Sequence, residues 1–267
     1  MERTNLQFLK LGGSLITEKD QPHTPRLEVL ERLAGEIARA RAADERLQLV
    51  LGHGSGSYGH VPAKRWGTRQ GVRTPQQWLG FVEVWRQANA LNRLVVDALA
   101  AAGVPALPIS PLAGVLAQDG ALLRWDTTPI EHALRAGLVP VIQGDVVFDQ
   151  SRGGTVLSTE DLFAVLARRL SPNRILLAGI EPGVWADFPR CTRRIDQITP
   201  QSFPHVQALL HGSAAPDVTG GMESKVRQSL EWVQALPGLE VWILSALEPG
   251  SLEMALGGAP LGTQICA

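Results

Sequence analysis

The sequence predicts an α/β fold with a mainly parallel central sheet. Three observations carry that expectation. Short apolar runs of strand length recur at Leu6–Leu11, Leu47–Leu51, Leu138–Ile142, Arg174–Ala178 and Val241–Leu244, and they read as buried strands. Helix-patterned stretches lie between them, and strand–helix–strand order implies right-handed crossovers between parallel neighbours. Several of the runs end directly in glycine-rich turns, the place where α/β sheets hold ligands.

The 267 residues suit one large α/β domain or two intimately packed lobes, with ample material for a core. Ser171-Pro172-Asn173 marks the boundary of two lobes, residues 1–170 and 171–267, on one continuous sheet. A composition of 45% apolar and 19% charged residues is that of a globular chain. The net charge of −1 argues against a nucleic-acid or membrane partner, so any positive field must be local. Cys191 and Cys266 sit in no C-x-x-C motif, and no zinc site or redox dithiol is expected. The first residues lack an apolar leader, and no run is long enough to span a bilayer, so a cytoplasmic protein is expected.

Taken in order, Leu6–Leu11 runs into Gly12, Gly13 and Ser14 with Lys10 beside them. A strand ending in Gly-Gly-Ser exposes backbone N–H groups to a phosphate, and the lysine adds a point charge. The lysine precedes the glycines, so this is not a Walker A loop. Lys10 also suits an edge strand and Lys19 a surface loop. Thr24-Pro25 opens a helix to Ala43 with Leu27, Leu30, Leu33 and Ile37 at helical spacing. The second strand leads into G-H-G-S-G-S-Y-G-H at 52–60. Its glycines, Gly54, Gly56 and Gly59 among them, allow a nest of N–H groups around Ser55, with a helix starting near Tyr58 and His60 at the edge. The alternative is a flexible Gly/Ser loop. Residues 61–73 read as a cationic loop.

Thr74-Pro75 opens a long helix, Gln76–Ala102, with two apolar faces near its start. Its Trp78, Phe81 and Trp85 suit core and dimer interface, or else the wall of a pocket for an apolar substrate tail. Val104–Ile109 reads as a strand, Leu112–Leu123 as a meander, and Thr128–Ala136 as a short helix. The strand Leu138–Ile142 ends in Gln143-Gly144-Asp145. A hairpin follows over 146–157. Ser158 or Thr159 then caps a helix with Glu160 and Asp161 in its first turn. Carboxylates there suit the helix dipole, whereas one aimed at phosphates would orient lysines or hold Mg²⁺. The loop after Arg174–Ala178, with Gly179 and Gly183, suits an adenine or ribose. Asp217, Thr219, Gly220 and Gly221 precede a last helix with Lys225 near its start, a cation unfavourable for the dipole unless an anion binds nearby.

Three glycine-rich strand ends with Lys10, Lys19, His60, Asp161 and Lys225 form the set that phosphoryl transfer needs: positioned positive charge and amides, and no covalent nucleophile. L-K-L-G-G-S, the G-H-G-S-G-S-Y-G-H loop, G-D followed by S-T-E-D, and D-V-T-G-G-M-x-x-K resemble the amino acid kinase superfamily over nearly the whole chain. His60 and the D-V-T-G-G-M stretch are similar to its isopentenyl phosphate kinases, and fosfomycin kinases share the histidine.

The resemblance implies an open αβα sandwich with an N-terminal acceptor-binding lobe, a C-terminal nucleotide-binding lobe and a homodimer. It implies ATP as phosphoryl donor with Mg²⁺, and isopentenyl phosphate as acceptor on the way to isopentenyl diphosphate. Lys10 and Lys225 would meet the ATP phosphates with amides of Gly12, Gly13 and Ser14, and Lys19 would stabilise the transferring group. Asp161 would orient the lysines. Gly54, Ser55, Gly59, His60 and Gly144 would line the acceptor site, with Gly56 between acceptor and nucleotide. Gly179, Gly183, Asp217, Gly220 and Gly221 would hold the nucleoside. The chain departs from the family at Ser55, at Tyr58, at Ser158-Thr159-Glu160-Asp161, where Ser-Gly-Asp-Asp is usual, and at Gly179–Gly183. A kinase of another small phosphonate or acid, and a non-catalytic nucleotide-binding regulator, are the alternatives.

Overall fold

The computed structural model describes residues 5–18, 20–210 and 221–267. The first half contains β1 (Asn5–Leu11), α1 (Gly13–Ile16), α2 (Leu27–Ala43), β2 (Leu47–His53), α3 (Gly56–Trp66), a 3₁₀ turn (Thr68–Gln70) and α4 (Pro75–Ala101). Then come β3 (Ala106–Pro108), α5 (Pro111–Gly114), β4 (Val115–Gln118), β5 (Ala121–Trp125), α6 (Thr128–Arg135), β6 (Val139–Gln143), β7 (Asp145–Asp149), β8 (Gly153–Leu157) and α7 (Thr159–Leu170). The second half adds β9 (Arg174–Gly179), β10 (Val184–Trp185), β11 (Arg194–Ile195), β12 (Gln197–Ile198), α8 (Phe203–Leu210), α9 (Gly221–Ala235), β13 (Glu240–Ser245), α10 (Ser251–Leu256) and β14 (Thr263–Ile265).

Eight strands form one sheet in the order β12-β14-β13-β9-β1-β2-β6-β3. Every pairing in it is parallel except β13 with β14. The sheet is covered on both faces because successive residues of its strands, which point to opposite sides, are apolar. Phe8, Val50 and Ile175 face a core shared with Leu162, Phe163 and Leu166 of α7 and Val226 and Val233 of α9. Leu9, Leu49 and Leu176 face the opposite core, built with Leu33 and Ile37 of α2 and Leu91 and Val95 of α4. The result is a helix–sheet–helix sandwich. A second sheet, β5-β4-β7-β8, lies beside α4 over a smaller core of Val72, Phe81, Val84 and Val146.

The long helix begins as its sequence indicates. The Thr74 hydroxyl accepts from Gln77 N–H, and the Gln77 side chain accepts from Thr74 N–H, a reciprocal cap. Two local expectations are corrected. The loop expected after His60 is helical: α3 runs from Gly56 to Trp66, through His60 and Pro62. Proline costs the helix a hydrogen bond, but Trp66 lies against Gly80 of α4 and donates its Nε1–H to Glu83 at 2.8 Å, anchoring the end of α3 on α4. Helix α2 starts two residues beyond the expected Thr24-Pro25 cap, and its N-cap, Arg26, pairs with Glu18 instead.

Strand β2 and helix α7 approach so closely that Gly52 has no room for a side chain. A Cβ there would lie 2.4 Å from Thr159 Cγ2 and 2.8 Å from the Phe163 ring. Gly52→Ala is therefore expected to destabilise the protein by about 1–3 kcal/mol through overpacking. Gly35→Ala, inside α2 with only the Arg39 guanidinium at 3.4 Å, is expected to raise stability slightly through helix propensity. Urea midpoints of both variants check the pair.

Candidate active site

Strands β1 and β2 are parallel neighbours with Lys10 opposite Gly52 and Leu11 opposite His53, so their glycine turns emerge side by side. The turns touch through bare backbone. A Cβ on Gly13 would sit 2.5 Å from Gly56 N, and one on Gly54 would sit 2.9 Å from Gly13 N. Gly56 also has φ +48°, and a Cβ there would lie 2.1 Å from Thr17 Oγ1. Thr17 stitches the turns together: its hydroxyl donates to Gly13 O at 2.8 Å and accepts from Ser57 N–H at 3.0 Å. Gly59 faces the Ser55 side chain, 2.5 Å from where its own Cβ would be. Gly144, at the end of β6, completes the cluster; its N–H donates to His53 O and its Cα packs on Ser158 and Thr159.

One amide of the expected cradle is already used. Gly12 N–H donates to Ala178 O of β9 at 2.7 Å, so it is not offered to a phosphate. The amides of Gly13 and Ser14 have no hydrogen-bond partner among the described residues, nor has that of Ser55. A concave run of such N–H groups favours anions.

The charges flank this backbone surface. Lys10 Nζ forms an ion pair with Glu160 Oε1, each side chain 14% exposed. Burial pushes the Glu160 carboxyl up, but the Lys10 charge and hydrogen bond, with the Lys225 charge, outweigh it and hold the group below its ordinary value. Glu160 thus pairs with the lysine of β1 and also feels the charge of the lysine of α9.

Of the lysines that Asp161 is expected to orient, Lys10 pairs with Glu160 instead, and Lys19 lies outside the described residues. Asp161 is the third residue of α7, and its carboxylate accepts from Ser158 N–H at 2.8 Å while Ser158 Oγ accepts from Asp161 N–H at 3.1 Å. Its further neighbours are Arg69 Nη2 at 3.8 Å and Gln228 Nε2 at 3.5 Å. Adjacent helical residues point about 100° apart, so only one of the two carboxylates reaches the lysine. The spacing Ser158-x-x-Asp161 is itself a capping-box signal.

His60 lies one helical turn beyond Gly56, on the face of α3 that the glycine turn begins. Lys225 lies at the start of the second turn of α9. Gly179, at the tip of β9, and Gly221, at the start of α9 with φ +67°, have no described residue within 4 Å of where a side chain would be. Gly183 differs: its Cβ would meet Thr263 Oγ1 at 2.5 Å and Arg194 Cδ at 2.8 Å, so protein packing accounts for this glycine. Lys19, Asp217, Thr219 and Gly220 lie outside the described residues.

Sequence reasoning marks Gln143-Gly144-Asp145 as a strand end but not the buried polar groups gathered around it and at the end of β2. His53 Nδ1 lies 3.1 Å from Gly54 O and its Nε2 lies 3.0 Å from Asn92 Nδ2. Asn89 and Gln143 both donate to Asp145 Oδ2, at 3.2 and 3.0 Å, and Asp145 Oδ1 accepts from Val146 N–H. Burial pushes the Asp145 carboxyl up to about 7 against those three hydrogen bonds, and burial pushes His53 down to about 4. Asn89 and Asn92, polar at i and i+3 on an apolar helix, were the available signal. No group of three or more His, Cys, Asp or Glu residues among the described residues could hold a metal.

A mainly parallel sandwich with bare-backbone turns at its strand ends and a paired lysine beside them has the parts that phosphoryl transfer uses, and the chain is a kinase of that class. The chain belongs to the amino acid kinase family, whose model matches residues 5–245. An isopentenyl phosphate kinase of Methanothermobacter thermautotrophicus is 36% identical over 270 residues, covering 97% of this chain and 98% of that protein. The isopentenyl phosphate kinase of Arabidopsis thaliana is 30% identical over 302 residues, covering 94% and 90%. A solved isopentenyl phosphate kinase structure superposes with a TM-score of 0.82 at 31% identity, covering 97% of this chain and 99% of that one.

The Asp145 pKa lies above that of the unfolded chain. Between about pH 4 and 7 the folded state therefore holds the extra proton, and this contribution to stability falls as pH rises. Asp145→Asn removes it and should flatten the pH dependence by at most about 1.4 kcal/mol per pH unit in that window. Urea midpoints measured from pH 4 to 8 check it; equal slopes for both proteins would rule it out.

Proposed function

We propose that this kinase transfers the γ-phosphoryl group of ATP to isopentenyl phosphate, giving isopentenyl diphosphate and ADP, as a cytoplasmic homodimer. The observation that carries the reading is the bare-backbone junction of the Gly12–Ser14 and Gly54–Gly56 turns between Lys10 and the His60 helix. Two phosphate-bearing substrates must meet end to end there. An acceptor phosphate oxygen attacks the γ-phosphorus in line, and the bond from that phosphorus to the bridging oxygen of ADP breaks. No base is required, because the acceptor is already an anion.

The residues divide the work by charge. Lys10 and Lys225 neutralise the donor phosphates, Gly13 and Ser14 N–H groups receive the transferring oxygens, and Lys19 adds charge to the transferring group. Glu160 holds Lys10 in place. His60 donates to the acceptor phosphate, with Gly54, Ser55, Gly59 and Gly144 giving it backbone to lie on. Gly179, Gly221, Asp217 and Gly220 serve the nucleoside. Mg²⁺ would neutralise phosphate charge when chelated by the nucleotide; the described residues offer it no carboxylate cluster, so no step is assigned to it.

The hydrocarbon end of the acceptor needs an apolar wall. The ring cluster Trp78–Phe81–Phe148, with centroids 5.2–6.0 Å apart, lies on and beside α4, the helix that supports α3. The other apolar face of α4, Leu79, Val82 and Trp85, is exposed and suits the dimer contact. No helix among the described residues is long and apolar enough to cross a membrane.

ADP release with ATP and Mg²⁺ is the test, comparing isopentenyl phosphate, fosfomycin, amino acids and no acceptor. Turnover is expected with isopentenyl phosphate. Lys225→Met and Glu160→Gln are each expected to lower kcat by about 10²-fold or more, and His60→Ala to raise KM for the acceptor while leaving ATP binding intact. Turnover with fosfomycin alone, or ATP binding without turnover, would overturn the assignment.

A further inference from the structure

The end of β2 holds a side-chain device that the roles above leave unused. His53 is fully buried, and its two ring nitrogens face different partners. Nδ1 faces the Gly54 carbonyl oxygen, which can only accept. Nδ1 must therefore carry the proton. Burial keeps the ring neutral, and the Lys10 charge works in the same direction. Nε2 is then a lone pair, and Asn92 must present its NH₂ group, as it does at 3.0 Å. This is the one tautomer and amide orientation that satisfies both ring nitrogens.

The peptide plane converts that bond into a direction. In a trans peptide the C=O of Gly54 and the N–H of Ser55 point to opposite sides. With the oxygen pinned inward on His53, the Ser55 N–H is turned outward, where it has no partner among the described residues. The remaining bonds of this corner fix its position: Gly54 N–H donates to Leu11 O at 3.0 Å, and the His53 carbonyl accepts from the Thr159 hydroxyl at 2.6 Å.

We propose that His53 is a positioning residue that, held by Asn92, fixes the Gly54–Ser55 peptide so that the Ser55 amide meets an oxygen of the transferring phosphoryl group. The proposal rests on the phosphoryl-transfer reading and adds to it the source of the loop's orientation. His53 touches no substrate; it acts through one backbone carbonyl. An asparagine in its place can offer an amide N–H at the position of Nδ1, whereas leucine cannot.

The experiment compares His53→Asn with His53→Leu and Asn92→Asp. In the wild-type protein, ¹⁵N-histidine spectra should show His53 protonated at Nδ1 alone from pH 5.5 to 9. Asn92→Asp places an acceptor against Nε2 and should move a proton onto it. Addition of inorganic pyrophosphate, a probe independent of the acceptor's identity, should shift the Ser55 amide proton downfield in wild type and His53→Asn but not in His53→Leu. In turnover, kcat should fall about 10- to 100-fold in His53→Leu with KM values nearly unchanged, and recover most of the way in His53→Asn. A wild-type ring protonated at Nε2, an unmoved Ser55 amide, or equal losses in both His53 variants at matched folding would overturn the proposal. Absence of turnover with isopentenyl phosphate, with the Ser55 shift intact, would instead overturn the substrate reading alone.

Discussion

The contact on which the site depends is backbone against backbone. Two parallel strands, β1 and β2, end at the same level, and their turns meet with no side chain between them: Gly13 against Gly56, and Gly54 against Gly13. A methyl group at any of these positions has nowhere to go. The compression has a chemical result. Where the turns meet, backbone rather than side chain faces a ligand, and its place is held because the Thr17 hydroxyl ties both turns to one another. Dipoles fixed before the substrate arrives need no reorganisation during the reaction, which is the circumstance in which they act most strongly on developing charge.

Full charges are consequently displaced to the rim, and they need a scaffold of their own. Lys10 is a strand residue in a mostly buried setting, where an uncompensated ammonium would be costly. Glu160 offsets that cost from the N-terminal turn of α7, where a carboxylate is favoured by the helix dipole as well. The longer Glu side chain bridges from α7 to β1 while its neighbour Asp161 closes the cap. One carboxylate, Glu160, thus answers the charges of two lysines, Lys10 and Lys225, in a chain whose overall charge is −1.

Much of this was legible in the sequence because it rests on glycine and on period. Strand runs that stop at Gly12-Gly13, Gly52–Gly56 and Gly144 announce both the sheet and its ligand edge, and β9 and β13 are equally plain. What escaped depends on contacts between distant segments. The loss of the Gly12 amide to Ala178 follows from β9 lying beside β1, which periodicity does not reveal. The helix beyond Pro62 exists because Trp66 finds Gly80, so a tertiary contact overrides a local breaker. The choice between Glu160 and Asp161 turns on helical phase, and the family pattern of adjacent acids hid it, although the Ser158-x-x-Asp161 cap was there to be read. The packing of Gly183 against Thr263 and Arg194 likewise joins distant segments.

The two sides of the turn junction are supported by different means, and the difference follows from what each must do. On the β9 side a backbone bond, Gly12 to Ala178, closes the edge, and nothing there titrates. On the β6 side the support is a buried set of polar side chains, His53, Asn92, Asn89, Gln143 and Asp145, which a more stable protein would replace with hydrocarbon. Asp145 keeps a carboxyl where burial raises its pKa to about 7, so the fold holds it at a cost. Such a cost is tolerated where orientation matters more than stability. A hydrocarbon core would fill the same space but could not fix which way the Gly54–Ser55 peptide faces. His53 can, because the Gly54 carbonyl on one ring nitrogen and the Asn92 amide on the other permit one orientation of the ring.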